Sequence, residues 1–67
     1  MNESGKGQDL PKIGAPATRA LAAIGVTTLD GVARHTAAEL SALHGVGPKA
    51  IRILGDEMAS RGMGFRE

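Results

Sequence analysis

The residues of this chain that could do chemistry are glycines and cations set at helix starts. From 43 to 54 it reads LHGVGPKAIRIL, a glycine-spaced turn running straight into a helix that opens with Pro48 and Lys49. A helix leaves its first amide donors without internal partners and normally covers them with a side-chain oxygen at the N-cap. The expected N-cap here is Gly47, which has no side chain. Pro48 suits the first helical position because its ring presets φ and it has no amide hydrogen, so the open donors fall on Lys49, Ala50 and the turn. Donors of this kind, with the positive end of the helix dipole behind them, hold anions such as phosphate. Gly45 and Gly47, on either side of Val46, are expected to adopt backbone conformations closed to other residues and to let the chain approach a ligand closely. Lys49 and Arg52 add positive charge beside them.

A second open start is expected near residue 16, in the stretch IGAPATR from 13 to 19, with Pro16 beginning a helix, Arg19 within a turn of it and Lys12 just before. Two other starts look closed, because Thr27 with Asp30 and Thr36 with Glu39 both have capping-box spacing. The structural alternative is that both glycine and proline sites are only tight turns between packed helices, since glycine is a tolerated N-cap and proline a common first residue. The cations beside both sites favour phosphate contact.

The elements that must position these sites are short helices. Residues 1–9 are polar and glycine-containing, which reads as a disordered lead-in; residues 10–67 form the single domain. Apolar spacing predicts a first helix over 16–24 with Ala17, Ala20, Leu21 and Ile24 inward, closed by Gly25. A second over 28–34 offers Leu29, Val32 and Ala33, weakened by about 1 kcal/mol at Gly31 relative to alanine. A third over 37–43 offers Leu40 and Leu43. The fourth and longest, 48–61, carries Ile51, Leu54 and Met58 and stops at Gly62. Gly55 within it implies close approach of another helix. Proline start, apolar helix, then glycine and an apolar residue occurs twice, over 16–26 and 48–63, as two related half-motifs. No strand pattern competes, so the fold class is all-α.

A chain of 67 residues supports one small core and no enzyme-sized cleft. It has no cysteine, which removes disulfides and thiolate metal sites. No apolar run suits a signal peptide or a membrane span, so a cytoplasmic protein is expected. The net charge of +1 is well short of that of an indiscriminate nucleic-acid binder. Its distribution is more informative: Lys12, Arg19, Lys49 and Arg52 gather at the open starts, while Asp30, Glu39, Asp56 and Glu57 lie elsewhere, giving one positive face. Phe65 is the only aromatic residue, so base-stacking platforms for single strands cannot be built, and a duplex backbone is the better target.

At 43–54 the chain resembles the helix-hairpin-helix family, whose hairpin pattern of apolar, any, Gly, apolar, Gly is filled here by Leu43, His44, Gly45, Val46 and Gly47. A wider, ungapped resemblance to the C-terminal domain of the bacterial RNA polymerase alpha subunit runs from 21 to 62. It is carried by LDGVARHTAAEL at 29–40, VGPKAI at 46–51 and MASRGM at 58–63. The resemblance implies a compact four- to five-helix, SAM-like domain that contacts the sugar-phosphate edges of duplex DNA across the minor groove, through its first helix and the hairpin before its last. Gly47, Lys49 and Ala50 fall on matching DNA-contacting positions. Pro16 stands where the polymerase domain places its minor-groove arginine, and Arg19 occupies a slot that is polar and DNA-contacting in the family, so plain backbone contact is the part of the function carried over. The large assembly domain of a true alpha subunit is missing, which suggests a free-standing relative. The resemblance also allows a monovalent cation at the hairpin; no other cofactor is expected.

No catalytic constellation is present. GVGPKA lacks the preceding strand and the Gly-Lys-Ser/Thr ending of a phosphate-binding P-loop. The serines have no base aligned with them, and His35 and His44 sit in no metal-ligand motif. The leading expectation is a non-enzymatic binder of double-stranded DNA, nucleoid-associated when bound and largely indifferent to sequence. It would use Gly45, Val46, Gly47, Lys49, Ala50 and Arg52 with Lys12 and Arg19, and neither a small-molecule substrate nor a membrane. The alternative is a helical protein-interaction module, docking or self-associating through an apolar patch at Val26, Met63 and Phe65.

Overall fold

Each helix begins where a residue unable to continue the preceding turn meets an apolar-periodic stretch. The computed structural model describes residues 9–67 and contains α1 (Ala15–Ala23), α2 (Leu29–Val32), α3 (Ala37–Ser41) and α4 (Pro48–Ala59). Among the described residues there is no strand, only an isolated antiparallel bridge between Asp9 and Thr28. The expected lead-in over 1–8 lies outside the described residues; Asp9, assigned to it from sequence, instead belongs to the folded part. α1 keeps its expected length but is shifted one residue toward the N-terminus, while the other three end two residues before their apolar spacing predicts, because their last turns tighten into closing turns.

One core joins all four helices. Ala17 and Leu21 of α1, Leu29 and Val32 of α2, Leu40 of α3, and Ala50, Leu54 and Met58 of α4 are buried, with Val26 and Val46 from the connections. Among the described residues, none that is polar or charged is buried. Ala20, Ala33, Leu43 and Ile51 are half-buried at its edge. Ile24, expected inward, is 43% exposed, because α1 has ended before it. α4 packs on α2 and α3. The radius of gyration is 11.0 Å, about the ~11 Å expected of a folded chain of this length.

The repeated half-motif has a structural counterpart at its closing end. After α1, the Gly25 amide donates to the Ala22 carbonyl at 2.9 Å and Val26 to Leu21 at 2.8 Å; after α4, Gly62 donates to Ala59 at 3.2 Å and Met63 to Met58 at 2.8 Å. Both are glycine-closed Schellman turns with an apolar residue folding back onto the helix.

The closed starts are only partly as expected. Thr36 and Glu39 form a reciprocal capping box: the Glu39 amide donates to Thr36 Oγ1 at 3.0 Å and the Thr36 amide to Glu39 Oε1 at 2.8 Å. The box expected from Thr27 and Asp30 does not form. Thr28 is the N-cap of α2, accepting from the Gly31 amide at 3.2 Å, because its bridge to Asp9 holds it extended to the edge of the helix. Thr28→Ala should therefore destabilise the domain by about 1 kcal/mol, and Thr27→Ala by less than about 0.5 kcal/mol. A larger loss from Thr27→Ala than from Thr28→Ala in thermal melts would put the cap back at Thr27.

The segment after α4 folds back over the molecule. An added Cβ at Gly55 would lie 3.3 Å from Phe65 Cε2, so the close neighbour predicted there is the Phe65 ring and not another helix. Phe65 and Met63 are half-buried against the core, and Val26 is only 3% exposed; the three residues expected to form a docking patch are packing groups. The Arg66 amide donates to the His35 carbonyl at 2.9 Å, and its guanidinium pairs with Glu39 Oε2 at 3.3 Å. His35 Nδ1 lies 3.5 Å from Glu39 Oε1.

Glu39 thus links three parts of the chain. The Thr36 amide above all holds its carboxyl below the ordinary value, with Arg66 and His35 adding to the effect and desolvation opposing it. A depressed carboxyl contributes stability at pH above its unfolded value, and that contribution is lost as pH falls through the folded value. Glu39→Gln should therefore lower the melting temperature at neutral pH and cease to matter once acid protonates Glu39. A melting difference that persists unchanged in acid strong enough to protonate the carboxyl would show its charge to be irrelevant.

Candidate nucleic-acid interface

The two open helix starts meet at one cleft. Gly47 is the N-cap of α4 and Gly14 that of α1; neither offers a capping side chain, and each helix has proline in its first two positions. Among the described residues, the amides of Gly45, Gly47, Lys49 and Ala50 donate to no protein acceptor, while the Ile51 amide begins the helical ladder on the Gly47 carbonyl at 3.2 Å. The hairpin is nevertheless not open throughout. Val46 points inward at 5% exposure, and its amide already donates to the Leu43 carbonyl at 3.1 Å.

The cleft has a volume of about 320 Å³. Lys12, Ile13 and Gly14 form one wall; Gly45, Gly47, Lys49, Ala50 and Ile53 form the other. Two cations therefore face open helix starts across a shared space, with no carboxylate among the described lining residues. An anion entering it would meet main-chain donors, two ammonium groups and the positive ends of two helices.

The expected site residues divide into three groups. Lys12, Gly45, Gly47 and Lys49 line the cleft and are accessible or nearly so. Ala50 lines it with only 6% exposure, so it can offer a main-chain donor but little side-chain surface. Val46 is an anchor in the core and offers no donor. Arg19 and Arg52 are exposed but lie outside the lining.

Gly47 departs from its expected conformation. Its φ of −97° and ψ of 179° are open to any residue, and an added Cβ would meet nothing within 4 Å. Its value to the site is the missing capping oxygen alone. Gly45 does need to be glycine, with φ at 100°, though the group it approaches is the chain itself.

Three lining residues were not singled out as site residues from sequence. Gly14 carried the clearer signal, as a glycine two residues before Pro16 in the same uncapped style as Gly47 before Pro48. Ile53 shares a face with Lys49, four residues earlier on α4, and Ile13 precedes Gly14. Among the described residues, no group of three or more His, Cys, Asp or Glu side chains is placed to hold a metal ion, and no helix is long and apolar enough to cross a membrane. The chain matches no protein-family model, no curated protein and no solved structure.

Proposed function

We propose that this domain is a helix-hairpin-helix module that grips the sugar-phosphate backbone of duplex DNA largely without reading its sequence. The observation that carries the reading is the convergence of two uncapped helix starts and two lysines on a cleft with no acid among its described lining residues. Main-chain donors at Gly47, Lys49 and Ala50 would bind phosphate oxygens, with Lys12 and Lys49 as nearby cations. Arg19 and Arg52 would contact phosphates further along.

Backbone contact fixes position and carries no sequence information directly. Nothing in the cleft resembles a base-reading set: its polar side chains are lysines, and the chain's one aromatic ring is packed beside Gly55. A duplex, whose bases are already stacked, suits such a surface better than a single strand. The reading gives the module no reaction to catalyse, and it implies a cytoplasmic protein associated with the nucleoid when bound.

Salt dependence measures how many cations take part. If Lys12 and Lys49 alone reach phosphates, the log-log slope of affinity against salt should be about −1.8; with Arg19 and Arg52 it should be about −3.6. A low-salt titration with a short duplex, followed by amide shifts, is the direct test. Unmoved Gly45 and Gly47 amide resonances would end the proposal.

A further inference from the structure

The contact between Gly45 and Pro16 gives the cleft a property that its lining alone does not. We propose that Gly45 is its positioning residue: its missing side chain lets the hairpin lie directly on the Pro16 carbonyl, fixing the starts of α1 and α4 as one rigid two-point clamp. The inference rests on the duplex-backbone reading above and adds how the two halves of that site are held in register.

An added Cβ at Gly45 would sit 2.9 Å from the Pro16 carbonyl oxygen and 3.2 Å from its carbonyl carbon. Both are main-chain atoms in the first turn of α1 and cannot swing aside as a side-chain tip would. Positive φ at Gly45 adds a second reason for glycine. The elements on both sides are anchored, α1 by Ala17 and Leu21 in the core and the hairpin by Val46. A side chain at Gly45 therefore has one outlet, which is to separate the hairpin from α1. Gly47, two residues on, faces open space and imposes no such limit.

A rigid spacing matters because the second of two linked contacts forms without a fresh loss of translational freedom, provided the geometry lets both engage together. With the register intact, Lys12 on one wall and Lys49 on the other act on the same bound duplex. With the register broken, the hairpin still binds and the α1 side contributes little.

The test combines Lys12→Ala and Lys49→Ala with Gly45→Ala, using one short duplex at several salt concentrations. With Gly45 present, each lysine substitution should weaken binding several-fold. In the Gly45→Ala background, Lys49→Ala should still weaken binding, Lys12→Ala should become nearly silent, and the salt slope should flatten by about 0.9, the loss of one phosphate contact. Gly47→Ala should leave the Lys12 effect in place. A Lys12 effect of equal size in both Gly45 backgrounds overturns the clamp, even if Gly45→Ala lowers the melting temperature, because a purely structural role would not alter that effect. Should Gly45→Ala fail to fold, the unsubstituted chain decides. Ala17 and Lys49 amide shifts that saturate along a single titration curve support the clamp, and two separate curves overturn it. Complete absence of shifts overturns the duplex reading, and the clamp with it.

Discussion

Gly47→Asp is expected to make the domain more stable and, in the same step, unable to hold duplex DNA. The gain follows from position: Gly47 is the N-cap of α4, its backbone is extended, and an added Cβ meets nothing within 4 Å. Aspartate there can accept from the first-turn amides that are otherwise open, and its charge complements the helix dipole. Together these should add up to about 1 kcal/mol, raising the melting temperature by about 4–8 °C in a domain of this size. The same carboxylate would occupy the proposed phosphate position and place a negative charge beside Lys12 and Lys49. Lys49→Glu should also abolish binding with little change in melting, since Lys49 is exposed. Melting curves and duplex titrations on the same samples check both. A Gly47→Asp protein that gains stability and still binds would show that the α4 start is not where the duplex sits.

Leu54→Ala should have the largest effect on the fold. Leu54 is fully buried on the helix that packs against both α2 and α3. Replacing such a leucine leaves a cavity and typically costs about 2–5 kcal/mol. A domain this small has a total stability of roughly 3–10 kcal/mol, so the substitution removes a large share of it. The melting temperature should fall by at least about 10 °C, with the chain partly unfolded at room temperature if the cost lies at the upper end. Circular dichroism melting measures this directly, and a drop of less than about 5 °C would mean the site collapses around the smaller residue.

The helical pattern was legible because the core positions within the helices recur at helical spacing and the first and last helices are closed by a nearby glycine. Thr36 with Glu39 and the glycine closures at Gly25 and Gly62 are local devices, so the sequence contains what is needed to read them. What could not be read depends on distant parts of the chain meeting. Thr27 and Thr28 are adjacent and identical, and the one that caps α2 is the one that also bridges to Asp9, far away in sequence. Gly55 announced a close neighbour without saying which, and the neighbour is a ring from the segment beyond α4. Val26, Met63 and Phe65 looked available for docking because spacing does not show that a C-terminal segment folds back.

The cleft was legible in the same sense. Its open α4 start follows from Gly47 and Pro48 alone, and Lys12 was placed near the other start by proximity in sequence. The division of labour between the two hairpin glycines was not readable, since it turns on Pro16 lying against Gly45 and on nothing lying against Gly47. Nor was the separation of Lys12 and Lys49 from Arg19 and Arg52, because four cations near two helix ends look equivalent until the ends are set facing each other.

A purely apolar interior has a chemical corollary. Among the described residues, the Met58 thioether is the one oxidisable group that is fully buried, and conversion to the sulfoxide would set a polar oxygen in hydrocarbon surroundings. Closed packing shields the sulfur from peroxide, so its modification requires the helices to part. Exposure to oxidants would thus act as a ratchet on transient unfolding, each lapse leaving some molecules unable to repack.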